Sequence, residues 1–412
     1  MKKISRYAIL LSVLLLLGGC SLFEVNNVNN TGNATAPEGT AAPDLPSVTA
    51  PPPSAAVSIT PSPSPAAANT PAPTAIPGTD RAEDILSGMS LEEKVGQMFF
   101  VRLDKANASA DIKSLYPGGF IMFGGDFEKE TKASIRELIK EYQKNSEIPL
   151  LIGVDEEGGT VNRVSRYPAF RKTPFRSPMD LYKAGGFDLI ESDTAEKCEL
   201  LLNLGINVNL APVCDISTDP EAFIYKRSLG ENADKTSEYV KLVVTRMKEL
   251  QIGSTLKHFP GYGNNADTHT GIAVDDRSYD DFAGTDFLPF QAGIGAGADS
   301  ILVSHNIVNC MDKNNPASLS LKVHEIIREE LNFNGVIMTD DLMMDAVKAY
   351  AGEYDTAVQA VLAGNDLLIA TDYRQQIPAV LNAVEDGVIS EARLDESVTR
   401  VLLWKLSLGL IK

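Results

Sequence analysis

Tryptophan occurs once in this chain, and histidine and cysteine four times each. Cysteines at 20, 198, 214 and 310 are too few and too widely spaced for a disulfide framework, so an apolar core has to hold the fold. Cys198, Cys214 and Cys310 are expected to pack as small apolar residues. No H-x-H or H-E-x-x-H spacing is present, so no single element sets two imidazoles on one cation. Cations are short too: 37 Lys and Arg face 55 Asp and Glu, for a net charge of −18. That balance lacks the electropositive surface that phosphate backbones require and argues against nucleic acid as a partner.

One notable apolar run, Ile9 to Leu17, follows Lys2, Lys3 and Arg6 and ends in "LLGGC" at Cys20. It is too short to span a bilayer comfortably, whereas small residues ahead of a cysteine suit a peptidase that cuts before it. Residues 1–19 therefore read as a lipoprotein signal peptide with lipidation on Cys20, which would hold the protein on the outer face of the cell membrane. The alternative is an ordinary secretory leader. Residues 20–79 read as a disordered linker: from 21 onward they hold twelve of the 23 prolines and no Lys or Arg. As a flexible coil such a tether reaches roughly 40 Å.

What remains, residues 80–412, is long for a domain but natural for a single α/β barrel. "SLEEKVGQM" opens a helix, with Ser90 and Glu93 in capping-box spacing. Eight apolar runs then recur between helical stretches: 99–103, 119–123, 149–154, 206–212, 254–259, 300–305, 335–339 and 366–371. "ASIRELIKEYQKN" shows the helical spacing, with Ile135, Leu138, Ile139 and Tyr142 on one face, and "EARLDESVTRVLLWKLSLGL" reads as the last outer helix. Apolar strands alternating with amphipathic helices predict a parallel sheet, and eight repeats favour closure into a (β/α)8 TIM-type barrel as one catalytic domain. An open doubly wound sheet is the alternative.

In a barrel, the loops after the strands build the site. The third run is followed by "DEEGG" and the fourth by "APVCD"; the fifth ends in "KH", the sixth in His305, and the seventh is followed by "DD". Asp155, Asp215, Lys257, His258, His305 and Asp340 would thus share one mouth. Taken singly, each could be a helix cap or a satisfied polar group. Together they suit a glycosidase, which needs one group to protonate the leaving oxygen and another to attack the anomeric carbon or activate water. A metallohydrolase is the competing chemistry, opposed by the missing ligand spacings and by the charge of Lys257.

The motifs "GFIMFGGD", "IGVDEEGGTVNRV", "NLAPVCDI", "RSLGENAD", "KHFPGYGNNADTH", "VSHNIV" and "GVIMTDDLMMDA" occur in this order. They resemble glycoside hydrolase family 3, in its β-N-acetylglucosaminidase (NagZ-type) branch. The resemblance implies that Asp340 is the nucleophile, and that Asp155, Arg163, Arg227, Lys257 and His258 hold sugar hydroxyls. It also implies that His305 lines the site, and marks Asp215 as a family position. His269, oriented by Asp267, matches the branch's general acid/base. Chemistry independently favours such a group: imidazole titrates near neutrality, and a neighbouring carboxylate fixes its tautomer. Tyr262 stands where the family often has histidine, a change expected to alter loop packing more than chemistry.

Many family 3 β-glucosidases take their acid/base or part of the sugar pocket from a second domain, and this chain ends where that domain would begin, which favours N-acetylglucosamine over glucose. The resemblance thus implies a retaining exo-β-N-acetylglucosaminidase acting on peptidoglycan-derived fragments, with no metal or organic cofactor. Phosphorolysis, β-glucosidase activity or a tethered sugar-binding role are the alternatives.

Overall fold

The computed structural model describes residues 78–263, 273–344, 347, 350 and 355–412. Cys20, Asp267 and His269 lie outside the described residues.

Each of the eight expected apolar runs contains a strand: β1 (Phe99–Arg102), β2 (Gly119–Met122), β3 (Leu151–Val154), β4 (Val208–Asn209), β5 (Gly253–Phe259), β6 (Ser300–Val303), β7 (Val336–Thr339) and β8 (Leu368–Ala370). All pairings are parallel, and the order is β8-β1-β2-β3-β4-β5-β6-β7. The ring closes between β7 and β8 through the parallel bridge Met338–Leu367, where the Thr339 amide donates to the Leu367 carbonyl at 3.2 Å. The arrangement is the (β/α)8 barrel and not the open sheet.

Barrel closure follows from what fills it. Phe100, Ile121, Leu151, Val208, Leu210, Leu302, Val336, Met338 and Ile369 form an inner apolar cluster. Gly153 is required beside it, because a Cβ there would stand 2.4 Å from the Phe100 ring. The chain's single tryptophan, Trp404, joins that cluster from the helix Glu391–Ser407, whose Leu394, Val398, Val401 and Leu402 are buried. A Cβ on Gly253 would meet the Trp404 ring at 2.9 Å, so the last helix packs closely against the start of β5. The other strand faces join a larger cluster beneath the outer helices, including Lys132–Asn145, which buries Ile135, Ile139 and Tyr142. Ser90 and Glu93 make the expected capping box at the helix Leu91–Gln97.

Two expectations need correction. The run 206–212 yields only a two-residue ladder, because the chain turns after Asn209, where the Ala211 amide donates to the Asn209 carbonyl at 2.7 Å. The chain nevertheless stays beside β5 through a Val213–Lys257 bridge and a Cys214 amide donating to the Lys257 carbonyl at 2.6 Å. The cysteines also divide: Cys198 and Cys214 are buried and free, whereas Cys310 is exposed and does not serve as core.

Candidate active site

A cavity of about 600 Å³ opens at the C-terminal end of the barrel. Its apolar lining includes Ile121, Leu210, Leu302 and Ile369, all members of the inner barrel cluster. Of the strand-end set, Asp155, Lys257, His258 and Asp340 line it together, joined by Arg163 and Arg227, which the family resemblance implied.

The loop after β3 explains how "DEEGGTVNRV" delivers its part. Glu156, fully buried, accepts the amides of Arg163, Val164 and Ser165 at 2.8, 2.7 and 3.1 Å, folding the segment back on itself. Gly158 makes the bend at φ +104°, and a Cβ there would lie 2.2 Å from the Arg176 carbonyl. Asn209 of β4 pins the same point, accepting the Glu156 amide at 2.9 Å and donating to its carbonyl at 3.1 Å. Asp155 thereby stays at the strand end and Arg163 returns to the cavity.

Glu157, absent from the sequence-based set, is the electrostatic centre of the wall. One of its oxygens, Oε1, accepts from Lys257 Nζ at 2.6 Å and from Arg227 Nη2 at 2.7 Å, while Oε2 accepts from Arg227 Nε at 3.0 Å. Lys257 also donates to Asp155 Oδ1 at 2.6 Å. Burial works to raise the Glu157 pKa, but Arg227 and Lys257 outweigh it and hold the carboxyl well below its usual range. Burial likewise opposes the charge on Lys257 and Arg227; Asp155 and Glu157 outweigh it for Lys257, and Glu157 does so for Arg227, so both pKa values rise. A signal for Glu157 was present in the sequence: Lys257 and Arg227 cannot be buried side by side without a counter-anion, and "DEEGG" offers one beside Asp155.

Asp215 and His305 are placed differently from expectation. Neither lines the cavity. Asp215 Oδ2 accepts the His258 amide at 3.0 Å and meets His258 Nδ1 at 2.8 Å, and Oδ1 accepts the Tyr262 amide at 2.7 Å. Arg227 Nη2 lies 3.1 Å from His258 Nε2, and a guanidinium can only donate. His258 therefore carries its proton on Nδ1, facing Asp215, and accepts on Nε2. His305 is fully buried, with Nδ1 2.7 Å from Ser318 Oγ and Nε2 3.1 Å from the Asp341 carbonyl. Tyr262 is buried and packs edge-on against His258, with ring centres 5.1 Å apart.

Asp340 follows β7, its amide donating to the Val303 carbonyl at 3.1 Å. Phe123, Phe223 and Met344 add apolar lining that the sequence analysis did not single out. A polar wall of fixed donors and acceptors beside an apolar floor suits a sugar ring, whose hydroxyls and C–H faces make the same division. Among the described residues no group of His, Cys, Asp and Glu is placed to hold a metal ion.

Residues 90–403 match the model of the glycosyl hydrolase family 3 N terminal domain. A beta-hexosaminidase of Tolumonas auensis is 34% identical over 286 residues, covering 67% of this chain and 81% of the relative. The structure of a glycoside hydrolase family 3 beta-N-acetylglucosaminidase from Paenibacillus sp. is similar at 31% identity and a TM-score of 0.74, over 78% of this chain and 63% of that one. A beta-N-acetylhexosaminidase from Beutenbergia cavernae is similar at 27% identity and a TM-score of 0.67, over 76% of this chain and 98% of that one.

Proposed function

We propose that this chain, which belongs to glycosyl hydrolase family 3 and is a glycoside hydrolase, acts as a retaining exo-β-N-acetylglucosaminidase. One observation carries the reading: Asp340 stands at the end of β7 in the same cavity as the Asp155, Arg227, Lys257 and His258 wall. The wall grips the sugar through its hydroxyls and orients it, while the apolar floor takes its C–H face. The Asp340 carboxylate attacks the anomeric carbon as the bond to the leaving oxygen breaks, and His269 gives that oxygen its proton. Water then loses a proton to His269, attacks the same carbon and returns Asp340 to the free carboxylate, so configuration is retained. Asp267 orients His269. The beta-N-acetylglucosaminidase and beta-hexosaminidase relatives support N-acetylglucosamine as the sugar released.

The physiological substrate in this proposal is a peptidoglycan-derived fragment with a terminal N-acetylglucosamine, met outside the cell membrane by a catalytic domain tethered through Cys20. Among the described residues no helix is long and apolar enough to cross a membrane. The leader and the proline-rich residues 20–79 support the tethered reading. Cells fed an alkyne-tagged fatty acid should carry the tag on Cys20 of the membrane-bound protein; membrane-bound protein without a tag there would refute the anchor.

Reacting the enzyme with a fluorinated N-acetylglucosaminyl fluoride, followed by peptide mass analysis, tests the mechanism. The sugar should be found on Asp340. Label on another residue would refute the assignment, and an inverted anomeric product would refute the retaining route. Asp340→Ala should lose essentially all turnover with its melting temperature kept, because the residue stands at a loop mouth and outside the core.

A further inference from the structure

Asp341 lines the cavity beside Asp340, yet each of its side-chain oxygens is already engaged within the protein. Oδ1 accepts the Met343 amide at 2.9 Å and Oδ2 accepts from Thr371 Oγ1 at 2.5 Å. Its carbonyl meets His305 Nε2 at 3.1 Å, and a carbonyl can only accept, so His305 donates from Nε2 and its Nδ1 faces Ser318 Oγ at 2.7 Å. These contacts fix the backbone and the side chain of Asp341 together. What they aim is its amide, which donates to Asp340 Oδ1 at 2.8 Å.

We propose that Thr371, acting through Asp341, is a positioning residue for the Asp340 carboxylate. The inference rests on the reading of Asp340 as nucleophile. Thr371 follows β8 and His305 follows β6, so the two strands flanking β7 hold the turn that carries Asp340 from opposite sides. An aspartate carboxylate turns about χ1 and χ2 unless something holds it. Attack on an anomeric carbon tolerates little misplacement, since about 1 Å of error can cost two orders of magnitude in rate. A hydrogen bond from the next amide limits that swing, and the amide is aimed by the His305 contact on the Asp341 carbonyl together with the Thr371 contact on its side chain. Among the described residues Thr371 is the side chain whose hydroxyl secures Oδ2, and it is exposed, so it can be changed without disturbing the core.

The test compares Thr371→Val, which keeps shape and removes the hydroxyl, with Thr371→Ser, which restores it. The first-step rate constant is read from nitrophenol release in a single turnover with enzyme in excess over a nitrophenyl N-acetylglucosaminide, the number of competent sites from the extent of labelling by the fluorinated N-acetylglucosaminyl fluoride, and ground-state binding from the dissociation constant of N-acetylglucosamine. Thr371→Val should slow the first step about tenfold, with the number of competent sites and the dissociation constant unchanged, and Thr371→Ser should return it to within about twofold of wild type. Asp341→Ala, which removes the acceptors of both the Thr371 hydroxyl and the Met343 amide, should slow the same step. A first step in Thr371→Val equal to wild type overturns the proposal, as does a loss that appears equally in sugar binding or that serine does not rescue. Peptide mass on the trapped wild-type enzyme separates the two readings: label away from Asp340 refutes the nucleophile, whereas label on Asp340 with an unaffected Thr371→Val refutes only the positioning role.

Discussion

Lys257 and Glu157 meet at 2.6 Å with each side chain only 2% exposed, so the cavity wall presents an ion-paired assembly and not an isolated lysine. Arg227 shares the same carboxylate and Asp155 shares the same ammonium. Each charge is tolerable in the wall only because its neighbours are present.

Glu157→Gln should therefore cost more than one hydrogen bond. Two buried cations would be left with Asp155 as their nearby anion, and breaking a buried pair this way costs about 3 kcal/mol or more. The loss is read by denaturant unfolding, and kcat/KM should fall with it. The sign with pH follows from the direction of the shift. The folded Glu157 pKa lies below the ordinary value of 4.5, so its contribution is fully present above that value and is lost as pH falls toward the folded pKa. The stability gap between wild type and variant should be widest near neutrality and narrow below pH 4.5; a gap that grows on acidification would contradict the assignment.

Asp215 makes the opposite kind of claim, a large effect on catalysis from a residue that does not line the cavity. Among the described residues its hydrogen-bond partners are all donors: the His258 amide, His258 Nδ1 and the Tyr262 amide. Asparagine would replace one acceptor oxygen with an NH2 pointing at a donor. Asp215→Asn should thus be about as damaging as Asp215→Ala, each lowering kcat/KM by one to two orders of magnitude. A near-wild-type asparagine variant would show that His258 does not depend on the carboxylate for its tautomer.

Lys405 tests a buried charge away from the site. Its side chain is fully buried and donates to Gln97 Oε1 at 2.6 Å, among the described residues no carboxylate forms an ion pair with it, and burial brings its pKa down from 10.5 to about 7. The unfolded chain binds a proton there that the folded one does not between those values, so stability should rise with pH from about 7 toward 10.5 and be flat below. Melting temperature measured against pH for wild type and Lys405→Met checks this. The variant's advantage should be greatest at pH 6 and shrink by pH 10, and parallel curves would place the ammonium in contact with water.

Much of the barrel was legible because parallel strands buried on both faces are written as unbroken apolar runs, of which β2 and β3 are examples. β4 was less so, since "INVNLAP" looks continuous while the backbone turns after Asn209. Asp155, Lys257 and Asp340 could be placed at the mouth because strand ends are readable from sequence. The direction of a side chain at a strand end is not, which is why Asp215 and His305 were expected in the cavity and stand behind it. Glu157 escaped notice because its meaning lies in partners 70 and 100 residues away, and only the need to neutralise Arg227 and Lys257 points back to it. Thr371 has no local signal at all.

His269 carries the kinetic claim that separates this mechanism from one with a carboxylic acid on another loop. A sugar alcohol cannot depart without a proton, whereas a nitrophenolate can, so His269→Ala should lose most of its activity on oligosaccharides and much less in the first step with a nitrophenyl glycoside. In the second step the same residue must take a proton from water, and its absence slows hydrolysis whatever the leaving group was. With the activated substrate the glycosyl-enzyme should therefore accumulate, giving a burst of nitrophenol followed by slow turnover, and the trapped sugar should be found on Asp340. Asp267→Ala should show a milder form of the pattern, since the proton-transfer group is kept while its orientation and its charged form lose support. Losses of equal size for both substrates, with no burst and no trapped species, would make His269 a structural residue and move the search for the acid to another loop at the barrel mouth.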